Sequence, residues 1–296
     1  MHEVQCQEST KCKEMQEMWV HRSKDESKRK ERRPVELARA GKPRFAVLRM
    51  EGTNCEYETF NSLVRSGADP QYVHLKRIEN GDVSLSDFSG IIIPGGFSAG
   101  DYIRAGIIFA SRLSQCALKD LEEFNQEGKI IVGICNGFQV LVEMGLLPMI
   151  TDRERKVALH VNESFRFESR NVYLRLSSEN GIFKKRMEMQ KVWEVPVAHA
   201  EGRFITDSAK TLNTLKRRGQ ILFKYSDPNG NDASYPLNPN GSLMNSASIT
   251  NISGNIVGIM PHPERIYFSY QMENAGSESF GKAFFDSIVE YSERFT

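Results

Sequence analysis

Three short segments carry residue types that could do chemistry together. In Gly133-Ile134-Cys135-Asn136-Gly137 the apolar run KIIVGIC (129–135) delivers one thiol into a sharp turn between two glycines, after which a helix begins. This is the layout of a nucleophile elbow with Cys where many hydrolases carry Ser; the nucleophile stands in a strained turn, and small neighbours let the backbone close on itself. The helix N-terminus behind Cys135 offers unpaired N–H groups and the positive end of a dipole, both of which favour negative charge at the sulfur. The N–H of Asn136 points to where an oxyanion would form. Taken alone, the turn also suits a Cys that is simply a small buried hydrophobe.

The second segment, Pro94-Gly95-Gly96-Phe97-Ser98, follows the apolar strand IIIP (91–94). Two glycines at the carboxyl end of a buried strand free backbone N–H groups to face a ligand, the other half of an oxyanion hole. GGFSAG is not a phosphate loop, because it lacks the lysine and hydroxyl of that motif. The third segment is Pro261-His262-Pro263-Glu264-Arg265, after NIVGIM (255–260). If strand geometry continues through it, the two-residue spacing puts His262 and Glu264 on one side, so the imidazole faces a thiol while the carboxylate orients the ring. Pro261 and Pro263 remove two backbone donors, which suits a strand end at a sheet edge. An isolated HPE is an ordinary surface feature; beside an elbow it supplies the cysteine with a base.

These segments need a scaffold, and the chain from Arg44 onward reads as α/β. RFAVLRM (44–50) is a short strand, followed by a helix over CEYETFNSLVRSG that closes at Gly67. YVHLK (72–76), IIIP, a helix over 111–127, KIIVGIC and a helix over 137–144 continue the alternation. Continuous apolar strands alternating with helices predict a mostly parallel central sheet flanked by helices. After Pro148 the alternating segments FRFESRNVYLRL (165–176), VWEVPVAHA (192–200) and ILFKY (221–225) predict added antiparallel strands. DPNGNDASYPLNPNG (227–241) is a turn-rich loop, and a helix over 281–293 closes the chain.

Composition bounds the rest. The 296 residues are 40% hydrophobic and 26% charged, ordinary for a folded chain. A net charge of +1 supplies none of the field that binding a phosphate backbone needs, which excludes nucleic acid as a partner. No apolar run reaches the roughly 20 residues of a membrane span, nor is there a signal core, and a cytoplasmic location is expected. Cys6, Cys12, Cys55, Cys116 and Cys135 form no CxxC pair, so neither a metal site nor a disulfide framework is predicted. Residues 1–42 hold eleven Lys/Arg and eight Asp/Glu, with almost nothing apolar over 22–33, and read as a charged, flexible or helical extension to a body over residues 43–296.

The elbow GICNGFQ, the loop PGGFSAGDYIRAG and the closing GNIVGIMPHPER resemble the class I, triad-type glutamine amidotransferases. FAVLRMEGTNCE (45–56), HAEGRF (199–204) and NPNGS (238–242) are similar, more narrowly, to the glutaminase subunits of phosphoribosylformylglycinamidine synthase. The resemblance covers residues 44–296; residues 1–42 have no counterpart in it, and Ala99 stands where the family places an aromatic. It implies the flavodoxin-like amidotransferase fold and a Cys-His-Glu triad: Cys135 attacks the glutamine side-chain amide, His262 passes a proton to the leaving ammonia, and Glu264 holds His262. It further implies oxyanion donors near Gly96 or Phe97 and at Asn136, with Gln139 helping to hold glutamine. His199, Glu201 and Arg203 complete the glutamine pocket, or the seam with a partner, or sit on a surface strand. The resemblance implies no cofactor in this chain, and ATP and Mg in a large synthetase subunit that takes the ammonia with a small third subunit, converting formylglycinamide ribonucleotide to its amidine in purine synthesis. Two competing functions, a freestanding cysteine hydrolase and a binding module on a degraded fold, predict respectively turnover without a partner and loss of a triad residue.

Overall fold

The computed structural model describes residues 41–150, 155–189, 191–272 and 278–296, so all but the last two residues of the expected N-terminal extension lie outside the described residues. The first half of the body alternates strand and helix: β1 (Arg44–Arg49), α1 (Glu56–Arg65), β2 (Asp69–His74), α2 (Leu75–Glu79), β3 (Gly90–Ile93), α3 (Ile107–Gln126), β4 (Ile130–Ile134) and α4 (Asn136–Glu143). Then come β5 (Val157–Val161), β6 (Glu168–Leu176), β7 (Val192–His199), β8 (Glu201–Thr206), α5 (Ala209–Arg217), β9 (Ile221–Ser226), β10 (Ser246–Thr250), β11 (Ile256–Ile259) and α6 (Phe280–Ser292).

Nine strands form one sheet in the order β2-β1-β3-β4-β11-β10-β9-β6-β7, while β5 and β8 make a separate antiparallel ribbon. The five strands from β2 to β11 pair in parallel and the other four antiparallel. Composition explains the division. Every residue of β3 and β4 is buried, as a strand covered on both faces requires, whereas β7 alternates buried and half-buried residues along its length. Because β1 leads outward to β2 but β3 leads the other way to β4, right-handed crossovers put α1 and α3 on opposite faces. Accordingly α1 packs with α6, and α3 with α4. Among the described residues no helix is long and apolar enough to cross a membrane.

The reversal of strand order between β1 and β3 opens a crevice at the carboxyl ends of the parallel strands. Ile93 is level with Gly133, and Ile134 with Ile259, so β3, β4 and β11 end together at that crevice. This closeness rests on Gly137: a Cβ there would strike the carbonyl oxygen of Ile93, on a central strand that cannot yield. Gly137→Ala is therefore expected to destabilise the fold by about 1–3 kcal/mol, seen as a lowered thermal midpoint; an unchanged midpoint would contradict the packing.

Candidate active site

The strand β4 hands the chain to Cys135, whose φ of 50° and ψ of −105° mark a sharp reversal before α4. Few non-glycine residues adopt this conformation; it is held by the Cys135 N–H donating to the Ile259 carbonyl at 2.7 Å and by its carbonyl accepting from Phe138 and Gln139. The expected elbow is present. The Cys135 thiol is buried and faces the Ala198 carbonyl oxygen 3.7 Å away.

His262 reaches the thiol from the end of β11, but not as a continued strand. β11 stops at Ile259 and Pro263–Ile266 forms a 3-10 turn, with β11 in the middle of the sheet rather than at an edge. Proline lacks the N–H that a ladder needs and fits the first turn of a helix, so Pro263 starts the turn that brings Glu264 back onto its own histidine. His262 Nδ1 and Glu264 Oε1 are 2.6 Å apart, and both side chains are essentially inaccessible. Burial works against charge on the imidazole, yet the Glu264 carboxylate and the Cys135 sulfur outweigh it and hold the His262 pKa well above the usual histidine value. Its Nε2 has no hydrogen-bond partner among the described residues.

Gly95 shows how tightly these groups converge: a Cβ there would lie 2.9 Å from His262 Cε1, 3.3 Å from Cys135 Cβ and 3.4 Å from Cys55 Sγ. Cys55 is thus a second buried thiol at the centre, one to which no role was attached from sequence; its sulfur accepts a hydrogen bond from Arg265 at 3.0 Å. Ligating atoms of Cys55, His262 and Glu264 lie within 4.8 Å of one another, but the imidazole nitrogen nearest Glu264 is already bonded to it, which suits a base and its orienter.

The oxyanion donors separate clearly. The Phe97 N–H is spent on the Gly52 carbonyl at 2.9 Å, which removes Phe97 from the expected set, and the Gly95 carbonyl accepts from Asn54 and Cys55. Gly96, at φ 145°, keeps its N–H unbonded among the described residues, as does Asn136 at the start of α4. A side chain at Gly96 would press within 2.6 Å of the Asn54 nitrogen, so glycine is required there.

Below the thiol, the Asn136 side chain ties the loops together. Its Oδ1 accepts from Ser98 Oγ at 2.6 Å, while its Nδ2 donates to Asp101 Oδ1 and Gln139 Oε1, each at 3.0 Å. Gln139 Nε2 donates to the Glu201 carbonyl, so each end of its amide has one protein partner, with a second N–H and a second lone pair left over. Glu201 Oε2 accepts the Ala105 N–H at 3.2 Å. The HAEGR residues therefore part company: Glu201 joins the pocket, whereas Arg203 turns to His160, 3.5 Å away across the β5–β8 ribbon. His199 is fully buried, bonded through Nδ1 to Asn162, and burial with the nearby His262 and Arg170 drives its pKa down to about 3. It stays neutral, and its buried Nε2 has no hydrogen-bond partner among the described residues.

Asp101 is a further pocket residue that the motifs did not single out. It sits at φ 51° on the loop after Ser98; partial burial, opposed by hydrogen bonds from Gly106 and Asn136 and helped by repulsion from Glu201, raises its pKa to about 6. No pattern in GDYIRAG announces this, because only the folded loop brings Asp101 to the start of α4.

This arrangement can perform nucleophilic attack by a thiol with a held proton and two oxyanion donors. Residues 42–292 match the CobB/CobQ-like glutamine amidotransferase domain. The chain is 51% identical to phosphoribosylformylglycinamidine synthase subunit PurQ of Picrophilus torridus, over 82% of this chain and 96% of that one. It is 44% identical to the same subunit from Archaeoglobus fulgidus, over 85% and 97%. In three dimensions it resembles a chain in the structure of PurLQS from Thermotoga maritima, with a TM-score of 0.66, 32% identity and coverage of 84% and 99%. With that likeness the mixed sheet is the class I glutamine amidotransferase fold, and the chain belongs to the PurQ family, the glutaminase subunits of phosphoribosylformylglycinamidine synthase.

Proposed function

We propose that this chain hydrolyses glutamine to glutamate and ammonia at Cys135, His262 and Glu264, and that it hands the ammonia to a synthetase subunit. The observation that carries this is the convergence of the Cys135 and His262 side chains on Gly95, with Glu264 bonded behind the imidazole. The Cys135 sulfur attacks the amide carbon, and the N–H groups of Gly96 and Asn136 bind the resulting oxyanion. The C–N bond then breaks as His262 gives its proton to the departing ammonia, leaving a γ-glutamyl thioester. Water, yielding a proton to His262, attacks the thioester and restores the thiolate. An amide is a poor electrophile, and splitting its hydrolysis in two lowers each barrier, with each oxyanion donor contributing about 3–4 kcal/mol, as in a well-studied protease.

Ammonia released into water would take up a proton and lose its nucleophilicity, so the product belongs in a closed route to an acceptor enzyme. We place that acceptor in the large synthetase subunit, which with a small third subunit uses ATP and Mg to convert formylglycinamide ribonucleotide to its amidine in the cytoplasm. The pocket mouth supports a docked partner: Ile103 is 89% exposed and Phe165 82%, and the half-exposed rings of Phe97 and Phe167 lie 6.4 Å apart between the two loops. Changing Ile103 and Phe165 together to Asp should cut glutamine-dependent synthesis at least about tenfold at low subunit concentration, with recovery at high concentration. An unaltered concentration dependence would remove this rim from the interface. The chemistry lies wholly within residues 43–296. Glutamate release by the purified chain, alone and then with synthetase, nucleotide and acceptor, tests the proposal; release that rises only in the mixture supports it, and vigorous release indifferent to the partner refutes it.

A further inference from the structure

The side-chain side of Gly95 is a small space bounded by three residues with soft or borderline donor atoms. A Cβ built on that glycine would lie within 3.4 Å of the Cys55 sulfur, the Cys135 Cβ and the His262 ring. The three come from separate segments, before α1, after β4 and after β11, so no CxxC spacing announces them. Both thiols are free and buried, and ligating atoms of Cys55, His262 and Glu264 lie within 4.8 Å of one another. Because Glu264 holds His262 Nδ1, the nitrogen left to a ligand is Nε2, which is buried and has no partner among the described residues. Both sulfurs act on this imidazole to keep its proton, which sets them beside the ring. Cys135, 6% exposed, is where the centre meets solvent.

Two cysteines and one histidine with a fourth position open make a zinc ligand set, whose bonds of about 2.3 Å to sulfur and about 2.0 Å to nitrogen bring ligand atoms within about 4 Å of one another. Small side-chain rotations reach that spacing from the one observed. Glu264 already has the outer role in such sites, a carboxylate that fixes the imidazole through its other nitrogen. Arg265 donates to Cys55 Sγ at 3.0 Å and favours a thiolate there. Two thiolates cancel the charge of a divalent ion, and Arg265 and Glu264 cancel one another, so burial of the filled site leaves no net charge unpaired. We infer that Cys55, Cys135 and His262 form a binding site for a thiophilic divalent cation of the Zn²⁺ type, and that its occupation shuts off glutamine hydrolysis. The site stands on the distances; the shut-off rests on the glutaminase chemistry proposed above. Binding forms two metal–sulfur bonds and one metal–nitrogen bond while the protons shared among the three side chains leave to water, so nucleophile and base are lost together. Mg²⁺, which takes oxygen ligands, is refused.

The test titrates Zn²⁺ into the assembled complex in oxygen-free buffer and follows glutamate release, with Cys6→Ser and Cys12→Ser in place to remove the thiols of the N-terminal extension. Half-inhibition should need at least about 100-fold more Zn²⁺ in Cys55→Ser, where a hydroxyl replaces a thiolate ligand. Binding of Co²⁺ to the full chain gives a second readout that needs no activity. Its thiolate charge-transfer band should weaken by about half in Cys55→Ser and equally in Cys135→Ser, so the second variant serves if the first does not fold. No inhibition of the complex that keeps Cys55, equal sensitivity to Zn²⁺ in Cys55→Ser, or a cobalt band indifferent to both substitutions would overturn the inference. Failure of the glutaminase proposal looks different: with no metal added, ammonia would be released from glutamine undiminished in Cys135→Ser.

Discussion

Cys135→Ser is expected to abolish glutamine hydrolysis by the assembled complex, lowering kcat by about four orders of magnitude or more, while synthesis driven by added ammonia continues. The hydroxyl nearly matches the thiol in size and can occupy the same turn, so folding is preserved. What is lost is the nucleophile: a serine hydroxyl is intrinsically a far weaker nucleophile than a cysteine sulfur. The two activities should part because Cys135, at the carboxyl ends of β3, β4 and β11, has in the proposed chemistry a task toward glutamine alone. Loss of ammonia-driven synthesis along with hydrolysis would mean that Cys135 contributes to the assembly itself, contrary to this account.

Glu264→Gln has the next largest expected effect. Glutamine keeps the size and one acceptor for His262 Nδ1, but removes the charge that offsets burial of the imidazolium. Hydrolysis should fall about 10²- to 10⁴-fold in kcat, the range general acid–base catalysis contributes. Stability should respond to pH with a definite sign. His262 has a raised pKa in the folded chain, so its pairing stabilises the protein fully below the pH at which a free histidine titrates, and that stability fades as pH rises through the folded value. Glu264→Gln should flatten this slope in denaturant titrations at several pH values. A variant with the same slope and near-normal turnover would leave Glu264 without its role.

Much of the catalytic centre was legible because it follows strands whose composition is unambiguous. The runs III and IIVGI are wholly buried, and the residues just after them, Gly95, Gly96 and Cys135, fall where parallel strands end. Other features carried no such signal. β10 is SASIT, whose buried Ser246 and Ser248 read as polar loop until a sheet encloses them, and α3 begins at Ile107 rather than 111 because its first apolar turn packs inward. Spacing could not choose between histidines either, since His199 and His262 each have a carboxylate two residues on; topology decides, by burying His199 against Asn162 and setting His262 beside the thiol. Cys55 and Asp101 escaped notice because each reaches the site through a loop whose course depends on contacts more than thirty residues away, with Arg265 and Asn136 respectively.

The covalent intermediate offers the most direct measurement. The assembled complex, given glutamine and quenched in acid within the first turnovers, should carry a γ-glutamyl group on the peptide containing Cys135, and none should form with Cys135→Ser. A glutamyl group on Cys55 instead, or its formation undiminished without the Cys135 thiol, would contradict the assignment of Cys135 as the nucleophile.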